Sequence, residues 1–232
     1  KKLKALGSKE EMEKNLNQFF QKSIFEKIEK HQEKLAELVI KESKLKSFKK
    51  IAGADVTYFR GMGICSALNF NIESLSVIDK AICEMKIDFP YIPGFLAFHE
   101  GPIIVKTIRK LSIKPDVLLV DGHGIAHPRK CGLASFVGIL LNMPTVGVAK
   151  EKLYGRIKGN RIYDEKGEVI GAIVKPSYGK KLLYVSIGHM VSLNDAIKIV
   201  LMCTVKNYPE PLKMAHEEVK RIRESMLNRF LN

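Results

Sequence analysis

The sequence predicts an α/β protein built on a mixed β-sheet with helices on both faces. Three observations carry this expectation. Short apolar runs of strand length, at 117–120 and 145–149, alternate with helix-period segments, which is the pattern of parallel crossovers. Ahead of them, three strand-like runs with short connections imply an antiparallel start. Hydrophobic residues make up 46% of the 232 positions, enough for a sizeable core and too many for global disorder.

Residues 9–42 read as one long helix. Leu16, Phe20, Ile24 and Ile28 recur every fourth residue, and Leu35 and Leu38 continue the stripe. No heptad is kept, so the stripe is a packing face rather than a coiled coil. Lys44, Lys46, Lys49 and Lys50 make a basic connector. Residues 51–59 form a strand with Asp55 inside it, and 62–70 and 74–83 complete a meander. Two prolines and a glycine make 88–94 a loop. A helix is expected from about 101 to 111, with Pro102 in its first turn. A strand at 117–121, a glycine loop, a helix at 133–141 and a strand at 145–149 follow. Residues 160–174 and 181–187 supply outer strands, and 192–202 a helix with Ser192 as its N-cap. A final helix at 212–231 packs through Leu212, Ala215, Val219, Ile222 and Met226. No repeat or long linker divides the chain. The expectation is one domain over 1–232, with a helical extension at 1–50 and a core at 51–217.

The net charge is +14, with 39 Lys and Arg against 25 Asp and Glu. That balance favours a polyanionic partner, nucleic acid before an anionic membrane surface, although a lysine-rich proteome would give the same excess. Cys65, Cys83, Cys131 and Cys203 are scattered and form no C-x-x-C pair, so they read as reduced, buried thiols. No run of 18 apolar residues and no signal-peptide core is present, so the expected location is cytoplasmic, with no membrane partner.

The chemistry centres on the loop Val120-Asp121-Gly122-His123-Gly124-Ile125-Ala126-His127-Pro128-Arg129. A carboxylate at the end of a buried strand, followed by two glycines, is placed to hold a cation where backbone can approach phosphate. Asp55 inside an apolar strand is costly unless paired or metal-bound. Glu100 lies after the apolar run 95–98 and just before the expected helix start. Three acids at three element boundaries can converge at one sheet edge and suit Mg²⁺ or Mn²⁺. His123, His127 and Cys131 have zinc-like spacing, but Gly122, Gly124 and Pro128 oppose the helix such ligation needs. One of the two histidines near the metal water and the other structural is the more economical arrangement. By pattern alone His189 and His216 are surface or hydrogen-bonded histidines, and His31 and His99 carry no signal. Lys150 ends a strand, where it could neutralise phosphate charge. Tyr91, on a rigid loop between Pro90 and Ile92-Pro93, could stack on bases or fold onto the core.

These residues lie in segments that resemble endonuclease V, a family of nucleases for inosine-containing nucleic acid. The segments are IAGADVTYF (51–59), PYIPGFLAFHE (90–100), LLVDGHGIAHPRKCGLASFVG (118–138), PTVGVAK (144–150), SIGH (186–189) and YPEPLKMAH (208–216). The resemblance implies an RNase H-like fold with a five-stranded mixed sheet. It implies metal binding by Asp55, Glu100 and Asp121, with Mg²⁺ as cofactor and Mn²⁺ as substitute. His216 would stand near the metal-bound water and Lys150 would contact the scissile region. Tyr91, on its Pro90-Ile92-Pro93 loop, would be the wedge filling the gap of an extruded base. The base pocket would be built largely by backbone around Gly94, Leu96, Gly122 and Gly124, with His127 supporting it. The implied activity is repair of deoxyinosine-containing DNA by cutting the second phosphodiester bond 3′ to the lesion, leaving 3′-hydroxyl and 5′-phosphate ends. Inosine-containing RNA is the alternative substrate, and no obligate protein partner is implied. Two departures stand out: His99 occupies a position where the family commonly has arginine, and the N-terminal helix is longer than the family core requires.

Overall fold

The computed structural model describes residues 9–231 apart from Lys46, Tyr178 and Lys180, with backbone alone for 9–21 and 231. Lys46 of the basic connector and the Leu16 and Phe20 side chains of the first stripe therefore lie outside the described residues. In chain order the elements are α1 (Lys9–Glu37), β1 (Lys50–Phe59), β2 (Met62–Asn71), β3 (Val77–Lys86), α2 (Leu96–Ile108), β4 (Val117–Asp121), α3 (Leu133–Leu141), β5 (Thr145–Ala149), β6 (Arg156–Lys158), β7 (Arg161–Tyr163), β8 (Val169–Val174), β9 (Leu183–His189), α4 (Leu193–Cys203) and α5 (Glu210–Leu231).

Among the described residues nine strands join one sheet in the order β3-β2-β1-β4-β5-β9-β8-β7-β6. The meander β1–β2–β3 is antiparallel, β4 and β5 run parallel to β1, and β9 returns antiparallel beside β5. The five strands β3-β2-β1-β4-β5 form the expected mixed sheet. The other four extend it into a nine-stranded sheet, so the five-stranded count is too small. Alternation along β1 and β4 sends side chains to opposite faces. Ile51, Val117 and Leu119 pack with Ile199 of α4 and Leu212 and Ala215 of α5. Ala52, Ala54, Leu118 and Val120 pack with Ile103 and Ile104 of α2 and Val137 of α3. Helices cover both faces, and each buried Ile or Leu contributes about 1.5–3 kcal/mol of transfer free energy.

Several boundaries differ from expectation, each for a local reason. Helix α2 begins at Leu96 rather than near 101, because its N-cap is Phe95, which offers no capping side chain to mark the start. Pro102 therefore sits inside the helix, and Glu100 lies within it rather than ahead of it. Strand β3 starts at Val77 rather than 74, because Asn71 Oδ1 accepts from the N–H groups of Glu73 and Ser74 and holds a turn there. The expected strand 160–174 divides into β7 and β8, and the short β6 precedes them. Helix α1 stops at Glu37 instead of 42, since the Ile40 N–H donates to His189 Nδ1 and the Ile40 carbonyl accepts from Met190 N–H. Ser192 caps α4 through Asp195 N–H as expected. The four cysteines are free and buried. Among the described residues no helix is long and apolar enough to cross a membrane.

Candidate active site

Asp55 and Asp121 each stand one residue beyond the last paired position of β1 and β4, Ala54 opposite Val120. Parallel neighbours in equivalent register lie about 5 Å apart and project to the same face. Glu100 comes from α2, across the end of the sheet. Each carboxylate has a protein partner. Asp55 Oδ2 is 2.8 Å from His216 Nδ1, supplied by α5. Asp121 Oδ2 accepts from Lys150 Nζ at 2.9 Å. Glu100 Oε1 accepts from the Tyr58 hydroxyl at 2.6 Å. Lys150 also lies 4.7 Å from the centre of the Tyr208 ring, whose hydroxyl donates to Val148 C=O at 3.3 Å.

The electrostatics of the acid edge suit a cation. Burial, with the negative charges of Asp55 and Asp121 adding to it, pushes the Glu100 carboxyl up to about 7. Asp55 is also raised, chiefly by burial and then by Asp121, against the pull of His216. Mutual repulsion of carboxylates at a sheet edge is relieved by a shared divalent ion. The donor set is all oxygen, as a hard cation prefers. Among the described residues no three His, Cys, Asp or Glu side chains are placed to hold a metal ion, and the three acids are bonded to His216, Lys150 and Tyr58. An ion would compete with those partners for the same oxygens.

Beside the acids lies a cavity of about 180 Å³. The first residues of α2 (Leu96, Ala97) and of α3 (Gly132, Leu133) wall it, together with Gly94, Gly122, His123 and His127. Neither helix has a side-chain cap. Among the described residues the Phe98 N–H bonds Phe95 C=O and the Ala134 N–H bonds His123 C=O, which leaves the N–H groups of Leu96, Ala97 and Leu133 as the first-turn donors at the cavity wall. Gly94 has φ +83°, and its carbonyl accepts from Arg129 Nη2 at 2.7 Å and His127 Nε2 at 3.1 Å. His127 Nδ1 accepts from Arg129 N–H, so the network assigns it the neutral Nε2–H tautomer. Burial and the Arg129 charge lower its pKa to about 4. His123, which edges the cavity, is lowered by burial, and its Nδ1 has no partner among the described residues.

Gly124 lies outside the cavity lining. Its N–H donates to Ser186 Oγ and its C=O accepts from Gly132 N–H, and a Cβ there would stand 1.9 Å from Ile187 C=O. Glycine at 124 therefore serves close backbone packing. Pro90 and Ile92 also miss the lining, whereas Pro93 and Tyr91 reach it. Tyr91 is 66% exposed at the rim, edge-on to His99 at 5.9 Å. His99 in turn packs on Tyr58 at 5.1 Å and its Nδ1 lies 2.5 Å from Phe89 C=O. A line of rings thus runs from the exposed Tyr91 to the partner of Glu100.

Sequence reasoning passed over Tyr58, Leu153 and Gln32, which touch the acids or the cavity, and Arg129, which bonds the Gly94 carbonyl at its wall. The DVTY tetrad after Asp55 carried a usable signal for Tyr58, since alternation puts it one strand pair beyond Val56 on the α2 face. Gln32, in a helix of Lys and Glu, gave none.

The family model for endonuclease V matches residues 33–217. Endonuclease V of Dictyoglomus turgidum is 40% identical over 218 residues, covering 90% of this chain and 95% of that protein. Endonuclease V of Dictyoglomus thermophilum is 38% identical over 211 residues, covering 86% and 91%. Among solved structures, Ciona intestinalis endonuclease V in complex with a 23mer DNA containing an inosine followed by a ribo-adenosine superposes with a TM-score of 0.80. It is 28% identical and covers 88% of this chain and 98% of that one.

Proposed function

Since the chain belongs to the endonuclease V family and is a nuclease acting on DNA, we propose that it is a Mg²⁺-dependent endonuclease for deoxyinosine in DNA, with Mn²⁺ as a substitute. It cuts the second phosphodiester bond 3′ to the lesion, in DNA repair. The observation that carries this reading is a cavity walled by two uncapped helix starts directly beside an edge of three carboxylates. The cavity suits a base, and the edge suits a phosphate with its cation.

Hypoxanthine differs from adenine in having a ring carbonyl in place of the exocyclic amine. Helix-start N–H groups favour the carbonyl, while adenine would turn donors against donors. Tyr91, exposed at the rim, fills the stack left by the extruded base. The line Tyr91–His99–Tyr58–Glu100 holds that wedge in fixed relation to the acids. Asp55, Glu100 and Asp121 would hold the ion, which when bound lowers the pKa of water and offsets charge growing on the phosphate. Lys150 brings a cation to the same place and its pairing with Asp121 keeps it there when no DNA is bound. His216, held by Asp55, places an imidazole at the solvent side of the acids, where a water proton can be received.

RNA is the second reading, favoured by one observation: the Ciona complex carries a ribonucleotide directly after the inosine. Matched inosine duplexes in DNA and RNA, with and without EDTA, test both. Faster cleavage of DNA that EDTA abolishes is the expected result. Faster RNA cleavage exchanges the substrate, and EDTA-insensitive cleavage removes the metal role.

A further inference from the structure

The function proposed above makes no use of helix α1, yet one of its side chains reaches the base cavity. Gln32 is 0% exposed and lines that cavity. Its Nε2 donates to Cys131 C=O at 2.6 Å and lies 3.4 Å from Gly94 C=O. Its Oε1 accepts from Arg129 Nε at 2.7 Å. Cys131 immediately precedes Gly132, the N-cap of α3, and Gly94 immediately precedes Phe95, the N-cap of α2. One amide therefore grips the chain at the entry to both helices whose first turns wall the cavity.

The rest of the same α1 face works in the same direction. Glu29 holds Arg129 Nη1 at 3.0 Å, and the Phe25 ring lies 6.0 Å from Phe95, over which the Arg129 guanidinium sits at 4.4 Å. Positions 25, 29 and 32 fall on one helix face. Gln32 lies one residue ahead of the stretch 33–217 that the family model matches. A buried amide is costly unless both ends are bonded, and here both are. A leucine would fill similar space without crossing between the two carbonyls, so what the amide adds is a fixed separation.

We propose that Gln32 is a positioning residue for base selection, setting the gap between the first turns of α2 and α3 and with it the preference for hypoxanthine over adenine. The inference rests on the cavity being the base pocket, as proposed above. If donors on two separate helices read one base, a loosened gap weakens recognition of the lesion. It leaves phosphate contacts and the reacting groups as they were.

The test compares the full chain with Gln32→Leu and Gln32→Glu, using KM and kcat on inosine-containing duplex and the competitive Ki of undamaged duplex. KM and Ki do not depend on the fraction of enzyme that is folded, so a partly folded variant still reports. Both variants are expected to raise KM about tenfold, the size of one lost polar recognition contact, with Ki and kcat little changed. Glutamate keeps the acceptor for Arg129 but turns carboxylate oxygens on the two carbonyls, so it fails as leucine does. An unchanged KM in Gln32→Leu overturns the proposal. So does a KM that rises together with Ki, or wild-type behaviour in Gln32→Glu, which would assign the effect to Arg129 alone. If wild type itself shows no advantage of inosine KM over undamaged Ki, the base-pocket reading fails before any variant is compared.

Discussion

The acid edge and the cavity proposed to take the base sit side by side and are built by opposite means. At the edge, Asp55, Glu100 and Asp121 are charged side chains held by His216, Tyr58 and Lys150, within reach of solvent. The cavity instead is walled by the starts of α2 and α3, a carbonyl fixed by Arg129 and His127, and glycines. A charge site tolerates rearrangement, because an ion can draw its ligands in. A site that reads a base edge by backbone donors has no such freedom, so its precision must come from the packing behind it. Substitutions at the edge should therefore cost chemistry, and substitutions behind the cavity should cost recognition.

The largest effect is expected from Asp121→Ala. If the three carboxylates share an ion as proposed, removing one of them, and freeing Lys150 from its partner, should lower cleavage in Mg²⁺ by about a thousandfold or more. Binding of inosine-containing DNA should survive, since the cavity lies on other residues. Single-turnover cleavage and equilibrium binding measured on the same preparation check both halves. Loss of binding in parallel with cleavage would mean that edge and cavity are not separable.

Acid titration offers the next contrast, because the two regions carry shifts of opposite sign. The Glu100 carboxyl stands at about 7 against an ordinary 4.5, so the folded protein holds that proton more tightly than the unfolded chain. Without metal, its contribution favours folding below pH 4.5 and fades as pH rises toward 7. His127 stands at about 4 against an ordinary 6.5, so the unfolded chain takes its proton first. Its contribution is present above pH 6.5 and is lost as pH falls toward 4. Each amounts to about 3 kcal/mol, and between pH 4.5 and 6.5 they oppose one another. In metal-free buffer, Glu100→Gln should make Tm climb more steeply with pH across that window, and His127→Gln should make it climb less. Equal slopes for both variants would mean that the two groups are not buried in opposite protonation states.

This division explains what was legible in the sequence. Asp55 and Asp121 stood out because a carboxylate beside apolar strand residues conflicts with its surroundings, and Glu100 because it follows an apolar run at an expected element boundary; such conflicts are visible in one dimension. The alternation of strands and helices around 117–149 was legible for the same reason, through periodicity. The start of α2 was hidden because Phe95 is no capping residue. The family resemblance groups Gly124 with the base pocket, and the sequence does not separate a glycine that lets a ligand approach from one pressed against Ile187. Gln32 was invisible, since its value lies in carbonyls 62 and 99 residues away.

Tyr91→Ala should have the smallest effect and depends most on the substrate. A ring that is 66% exposed contributes little to folding, so Tm should stay near that of the wild type. Stacking of one base on an aromatic is worth about 1–3 kcal/mol, so cleavage of inosine in a fully paired duplex should fall about tenfold. Single-stranded inosine substrate needs no gap filled and should be cut nearly as well as by wild type. The ratio of duplex to single-strand rates is the measurement. An equal loss on both would mean that Tyr91 works through the cavity wall it already lines rather than through the duplex stack. The ring would then belong with the backbone-built pocket, and His99 beneath it would be supporting that wall.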